Sequence, residues 1–219
     1  MNNVLMRISF AFFLGLIAIS TFSQKKISKS FQTISKEVNI YTAGLDHLTI
    51  ENSNSDFVEV FLYAESYDEQ LIKIENTDKT ANITFDFGGT ETREVIFRKF
   101  ITKRLQRANA VVKIPNNKMV YIFGENVDIT SKSIANNLAI YIENGIVKLN
   151  SIIANTTLKL YSGNVYASTK NTSLNLATKN GRIEIDGVLQ KNLYQKTRKN
   201  TQSQLKITTI KGNLFLTIE

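Results

Sequence analysis

The 219-residue sequence has no cysteine, one proline and one histidine. Without cysteine there is no disulfide, thiol nucleophile, zinc–thiolate cluster or lipidated cysteine. In an oxidising compartment such a chain must be held by backbone ladders and apolar packing alone. A single histidine excludes metal sites built on several imidazoles. Any Ser-His-Asp arrangement would have to use His47, and no Gly-x-Ser-x-Gly elbow surrounds a serine. Gly88-Gly89 lacks the spacing, and the following Lys-Ser/Thr, of a phosphate-binding loop. No cofactor is expected.

Long apolar runs are also scarce. The one clear example is Phe10 to Ile19, preceded by Arg7 and followed by Ser20-Thr-Phe-Ser23. A basic start, a ten-residue apolar stretch and small residues around residue 23 are the marks of a cleavable export signal. The run is short for a membrane span. The expectation is a signal peptide over 1–23, then one β-domain over 24–219 with no transmembrane segment, in the periplasm, at the cell surface or outside the cell. Within 24–219, residues 24–114 look less regular and 115–219 carry the clearer repeats.

The hydrophobic fraction, 42%, suffices for a packed core. The formal charge is +8. Arg7 is the one charged side chain in the first 23 residues, so the remainder carries +7. A basic exported chain suits acidic glycans or envelope polymers, or another envelope protein, rather than nucleic acid. Two basic stretches are the candidate polyanion sites. Arg98, Lys99, Lys103, Arg104 and Arg107 crowd the first, with Arg93 and Lys113 beside them. Lys196, Arg198 and Lys199 form the second, between Lys191 and Lys206. Lysines on strand faces also block edge-to-edge pairing, which needs no ligand.

Apolar and polar residues alternate through Leu48–Ile50, Phe57–Phe61, Leu71–Ile74, Ile83–Phe87 and Ala110–Ile114. This is strand periodicity with β-branched and aromatic content. Arg98 to Arg107 is the best helical candidate, and its apolar spacing also suits a strand. Further on a degenerate repeat appears: Leu138-Ala-Ile-Tyr-Ile-Glu-Asn-Gly145 resembles Leu174-Asn-Leu-Ala-Thr-Lys-Asn-Gly181, and Leu158-Lys-Leu-Tyr-Ser-Gly163 is a shortened copy. Leu193 and Leu214 head two later copies, giving intervals near 20 residues. That is one short coil of a β-solenoid, whose coils bury their apolar faces by stacking. Asn144-Gly145, Gly163-Asn164, Asn180-Gly181 and Gly212-Asn213 would make the corners. The same dipeptides suit tight hairpins, so an antiparallel sandwich or meander stays open.

Carboxylates offer the one enzymatic route. Asp128, Glu143, Glu184 and Asp186 lie near the coil ends, where they could line a groove of a carbohydrate-active β-helix. They are sparse, and the expectation is no catalysis. Tyr161 and Tyr166 could stack on sugars.

Val111-Val-Lys-Ile-Pro115-Asn-Asn-Lys-Met-Val120, the units at Asn144-Gly145 and Asn180-Gly181, and Leu48 to Phe57 together resemble the putative adhesin families of exported bacterial proteins, including the auto-transporter adhesin head domain. The resemblance spans roughly residues 40–219. The family's Gly-Asp before the return strand is replaced here by Gly-Ile, Gly-Asn and Gly-Arg. The resemblance implies a solenoid-like fold, export and no catalytic residues. The composition and the Phe-Ser-Gln signal end are similar to flavobacterial proteins.

Overall fold

The structure, a computed structural model, describes residues 25–64, 71–86, 108–199, 201 and 203–219. The export signal, the turn at 88–92 and the helical candidate at 98–107 lie outside them. The described residues form an all-β fold in one open sheet of sixteen strands.

The first six strands are β1 (Lys25–Gln32), β2 (Glu37–Tyr41), β3 (His47–Asn52), β4 (Phe57–Ala64), β5 (Ile72–Asn76) and β6 (Thr80–Phe85). β7 (Asn109–Ile114), β8 (Met119–Asn126) and β9 (Asp128–Lys132) follow. Two long strands come next, β10 (Asn137–Ile152) and β11 (Thr156–Thr169). Then come β12 (Ser173–Thr178), β13 (Ile183–Ile185), β14 (Val188–Gln190), β15 (Leu193–Lys196) and the long β16 (Gln204–Ile218). The alternation read in the sequence places the expected strands within a few residues.

Two ladders run side by side. One is β5–β6–β2–β8, then the first halves of β10, β11 and β16, then β12 and β15. The other is β1–β4–β7–β3–β9, then the second halves of the same three strands, then β13 and β14. Interior pairings are parallel, and antiparallel strands finish both ladders at both ends. Each pass of the chain therefore adds one strand to the first ladder and one to the second.

The side chains pointing between the ladders make one core. Val38, Ile40, Ile122, Ile140, Leu158 and Ile207 come from the first ladder, and Leu48, Ile50, Val112, Ile129, Val147 and Leu214 from the second. All are nearly inaccessible to solvent. Ile122, Ile140 and Leu158 are register partners 18 residues apart. One pass through the centre is thus 18 residues, a spacing that no interval between the leading leucines matches. Leu138 pairs with Thr156 and Leu158 with Ile140, so the leucines do not stack on one another.

Asn144-Gly145 closes no hairpin: β10 continues through it and pairs in parallel on both sides. Gly145, Gly163 and Gly212 instead stack as one corner between the ladders. Gly163 has φ 134°, and a Cβ there would collide with the Gly145 carbonyl oxygen. Only glycine lets successive passes approach so closely. At the opposite corner the buried Asn136 gives its amide N–H groups to the carbonyls of Pro115 (2.8 Å) and Lys118 (3.0 Å) and accepts from Asn52 Nδ2 at 2.6 Å.

Chain order and spatial order part at both ends. β2 and β3 lie between the β6–β7 pass and the β8–β9 pass. The final strand, β16, inserts between β11 on one side and β12 and β13 on the other.

Candidate ligand-binding surface

The corner glycines align the chain so that equal offsets from them fall on one row. Three residues beyond Gly145, Gly163, Gly212 and Gly181 stand Lys148, Tyr166, Phe215 and Glu184. Five residues beyond stand Asn150, Ser168, Thr217 and Asp186. Strand alternation turns both sets away from the core. The first row is large and the second small, so a trough of about 420 Å³ opens above the second row. It crosses four strands, or about 14 Å at ordinary strand spacing.

One wall is aromatic. Tyr166 and Phe215 stack at 5.1 Å, and the Arg182 guanidinium lies 5.0 Å from the Phe215 centroid. The faces of these rings are therefore spent largely on each other, and their edges look into the trough. The Ser168 and Thr217 hydroxyls lie along the floor, and Glu219 accepts a hydrogen bond from Ser168 Oγ at 2.5 Å. Lys148 stands at one end, Glu184 and Asp186 at the other. The trough thus combines an apolar wall, hydroxyls, one base and two acids, the mixture that binds an extended polar ligand such as a glycan.

Of the four carboxylates singled out in the sequence, Glu184 and Asp186 come together here. Asp186 Oδ1 accepts the Ile218 N–H at 2.9 Å. Asp128 serves a corner in the same way, accepting the Ile146 N–H at 2.7 Å. Glu143 is on β10 beside Asn144, away from the trough. No group of three or more His, Cys, Asp or Glu side chains able to hold a metal occurs among the described residues. His47 is opposite Asp128 and Asn109. Burial pushes its pKa below the ordinary value; Asp128 opposes that shift and Lys148 adds to it.

The basic stretches fare differently. Arg98, Lys99, Lys103, Arg104 and Arg107 lie outside the described residues. Lys196 ends β15 and Arg198 and Lys199 follow it, at the far end of the stack. Lys196 is opposite Leu174, whereas Lys206 is opposite Asn175 on the other side of the strand. Lys196 of the second stretch and the flanking Lys206 therefore face opposite sides of the first ladder. Its neighbourhood is also partly apolar, with Val188, Leu189 and Leu193 exposed on β14 and β15.

A second row of rings lies on the open side of the first ladder. Tyr41, Phe123 and Tyr141 are register partners on β2, β8 and β10. Their centroids are 5.3 and 5.6 Å apart, with planes within 20°. Tyr161 stands apart at a corner, with Lys211 Nζ 5.5 Å from its centroid.

Lys148, Ser168, Phe215 and Thr217 were not singled out from the sequence. The shared signal was the fixed offset from aligned glycines, visible in Gly163-Asn-Val-Tyr-Ala-Ser168 and Gly212-Asn-Leu-Phe-Leu-Thr217.

Among solved structures, a "putative cell adhesion protein" from Clostridium sporogenes aligns over 90% of this chain and 100% of its own, with TM-score 0.60 and 11% identity. In fold, the chain resembles the clostridial protein. A "putative adhesin" from Bacteroides fragilis aligns over 90% of this chain and 98% of its own, with 14% identity and TM-score 0.35. No protein-family model matches the sequence, and no curated protein does. No helix among the described residues is long and apolar enough to cross a membrane.

Proposed function

We propose that this chain is an exported, non-catalytic, adhesin-like protein of the cell envelope that holds glycan chains along the trough over Ser168 and Thr217. Its architecture is read as a short β-solenoid, each pass forming one coil. Residues 1–23 are the export signal and 24–219 the single mature domain. The observation that carries the reading is the trough: a continuous strip about 14 Å long, walled by Tyr166 and Phe215 and floored by hydroxyls. Such a strip accommodates about three sugar units, and every contact is weak and solvent-accessible, which suits retention. The fold shared with the clostridial protein supports the reading through architecture.

The test is a screen of residues 24–219 on neutral and acidic glycans at low and moderate salt. Binding that is lost in Ser168→Trp, which fills the trough, supports the proposal. Binding that persists in that variant, or no binding at either salt, overturns it. Salt-sensitive binding to acidic polymers alone, abolished by reversing Lys196, Arg198 and Lys199, would place adhesion in the basic stretch instead.

A second reading draws on Glu184 and Asp186, which share one end of the trough. Two carboxylates flanking a sugar are the equipment of glycoside cleavage. It predicts new reducing ends when a bound glycan is incubated with the protein, abolished in Glu184→Gln. The engagement of Asp186 Oδ1 by Ile218 argues for a structural part for that residue.

A further inference from the structure

The row of rings on the first ladder is closed at one end and open at the other. Beyond Tyr141 its register partner on β11 is Lys159, whose Nζ lies 5.5 Å from the Tyr141 centroid. Beyond Tyr41 the partner on β6 is Thr84, and the partner of Thr84 on β5 is Lys73. Phe123 covers one face of the Tyr41 ring; strand order turns the other towards β6, where the side chain below is only a threonine. Tyr41 is 39% exposed.

Two strand spacings separate the Tyr41 position from Lys73, about 10 Å. A flat ring on Tyr41 at van der Waals distance, about 4 Å, fits between them. Polar groups rim this notch. Asn82 precedes Thr84 on the same side of β6, Glu75 is its partner on β5, and Lys73 pairs with Asp86. An apolar platform beside amide, hydroxyl and carboxylate groups is the chemistry that recognises a sugar ring. Two acids against one base disfavour a polyanion.

We propose that the notch between Tyr41 and Lys73 binds one pyranose ring of a neutral glycan, stacked on Tyr41 as the next ring of the row. The site lies on the other ladder from the trough, so the two readings stand or fall separately.

The chain has no tryptophan, so its emission reports tyrosine directly. Cellohexaose, xylohexaose and chitohexaose are titrated against residues 24–219 by saturation-transfer NMR and tyrosine emission. At least one should show transfer strongest at the protons of a single sugar face. Thr84→Phe, which fills the notch with a strand-favouring ring, should weaken it at least about tenfold with no loss of thermal stability. Tyr41→Leu should weaken it similarly, and Leu189→Ala, at an exposed position outside both sites, should leave it unchanged. No transfer from any of the three, or equal binding by Thr84→Phe and Tyr41→Leu, overturns the proposal. Binding that survives both notch variants and is lost in Ser168→Trp belongs to the trough and also overturns it.

Discussion

Single atoms set the spacing of the passes. At Gly163 a methyl group meets the Gly145 carbonyl oxygen head-on, on a backbone at φ 134°. Gly163→Ala should therefore cost at least about 2 kcal/mol. Gly187 is the control: its φ is 78°, but a Cβ there has no neighbour within 4 Å. Gly187→Ala should cost about 1 kcal/mol, from backbone strain alone. Urea midpoints of the two variants give the comparison. His47 makes a second residue-level prediction. Burial, the largest cause, depresses its folded pKa below 6.5. The unfolded chain therefore takes up the proton first as pH falls. The contribution of His47 is intact above about pH 6.5 and is lost progressively below it. The urea midpoint of the wild type should fall between pH 7 and 5 more steeply than that of His47→Gln.

At the scale of elements, β16 is an interior strand although it is the last of the described strands. It separates β11 from β12 and β13, and Ile207 and Leu214 on it are fully buried. Ile207→Ala should cost about 2–5 kcal/mol. Leu193→Ala on the end strand β15, where the side chain is largely exposed, should stay within about 0.5 kcal/mol. Native-state hydrogen exchange should rank the amides the same way, slow in β16 and fast in β14 and β15. Strand positions were legible in the sequence because Val58, Val60 and Leu62, or Leu174 and Leu176, alternate with polar residues. The place of β16 was not, because a parallel crossover leaves no local mark. The repeat was legible only in outline. Leu138 and Leu158 fall two residues out of true register, and a shift of two keeps every side chain on its face. An alignment by leucine alone therefore looks consistent while being displaced.

At the scale of the whole molecule, stacking turns a weak sequence pattern into two continuous strips. Glu184 and Tyr166 were recognisable in the sequence as a carboxylate and an aromatic near coil ends. Their meeting was not, because Phe215 reaches them from β16, more than thirty residues beyond Glu184. The most direct test of the central claim is an NMR titration of isotope-labelled residues 24–219 with the best glycan from the screen, followed by analysis of the recovered sugar. Amide shifts in the trough strands around Lys148, Tyr166, Ser168, Phe215 and Thr217, with the glycan recovered at its original length, are the predicted result. Shifts concentrated near Lys196 to Lys199, or a shortened glycan, would contradict it.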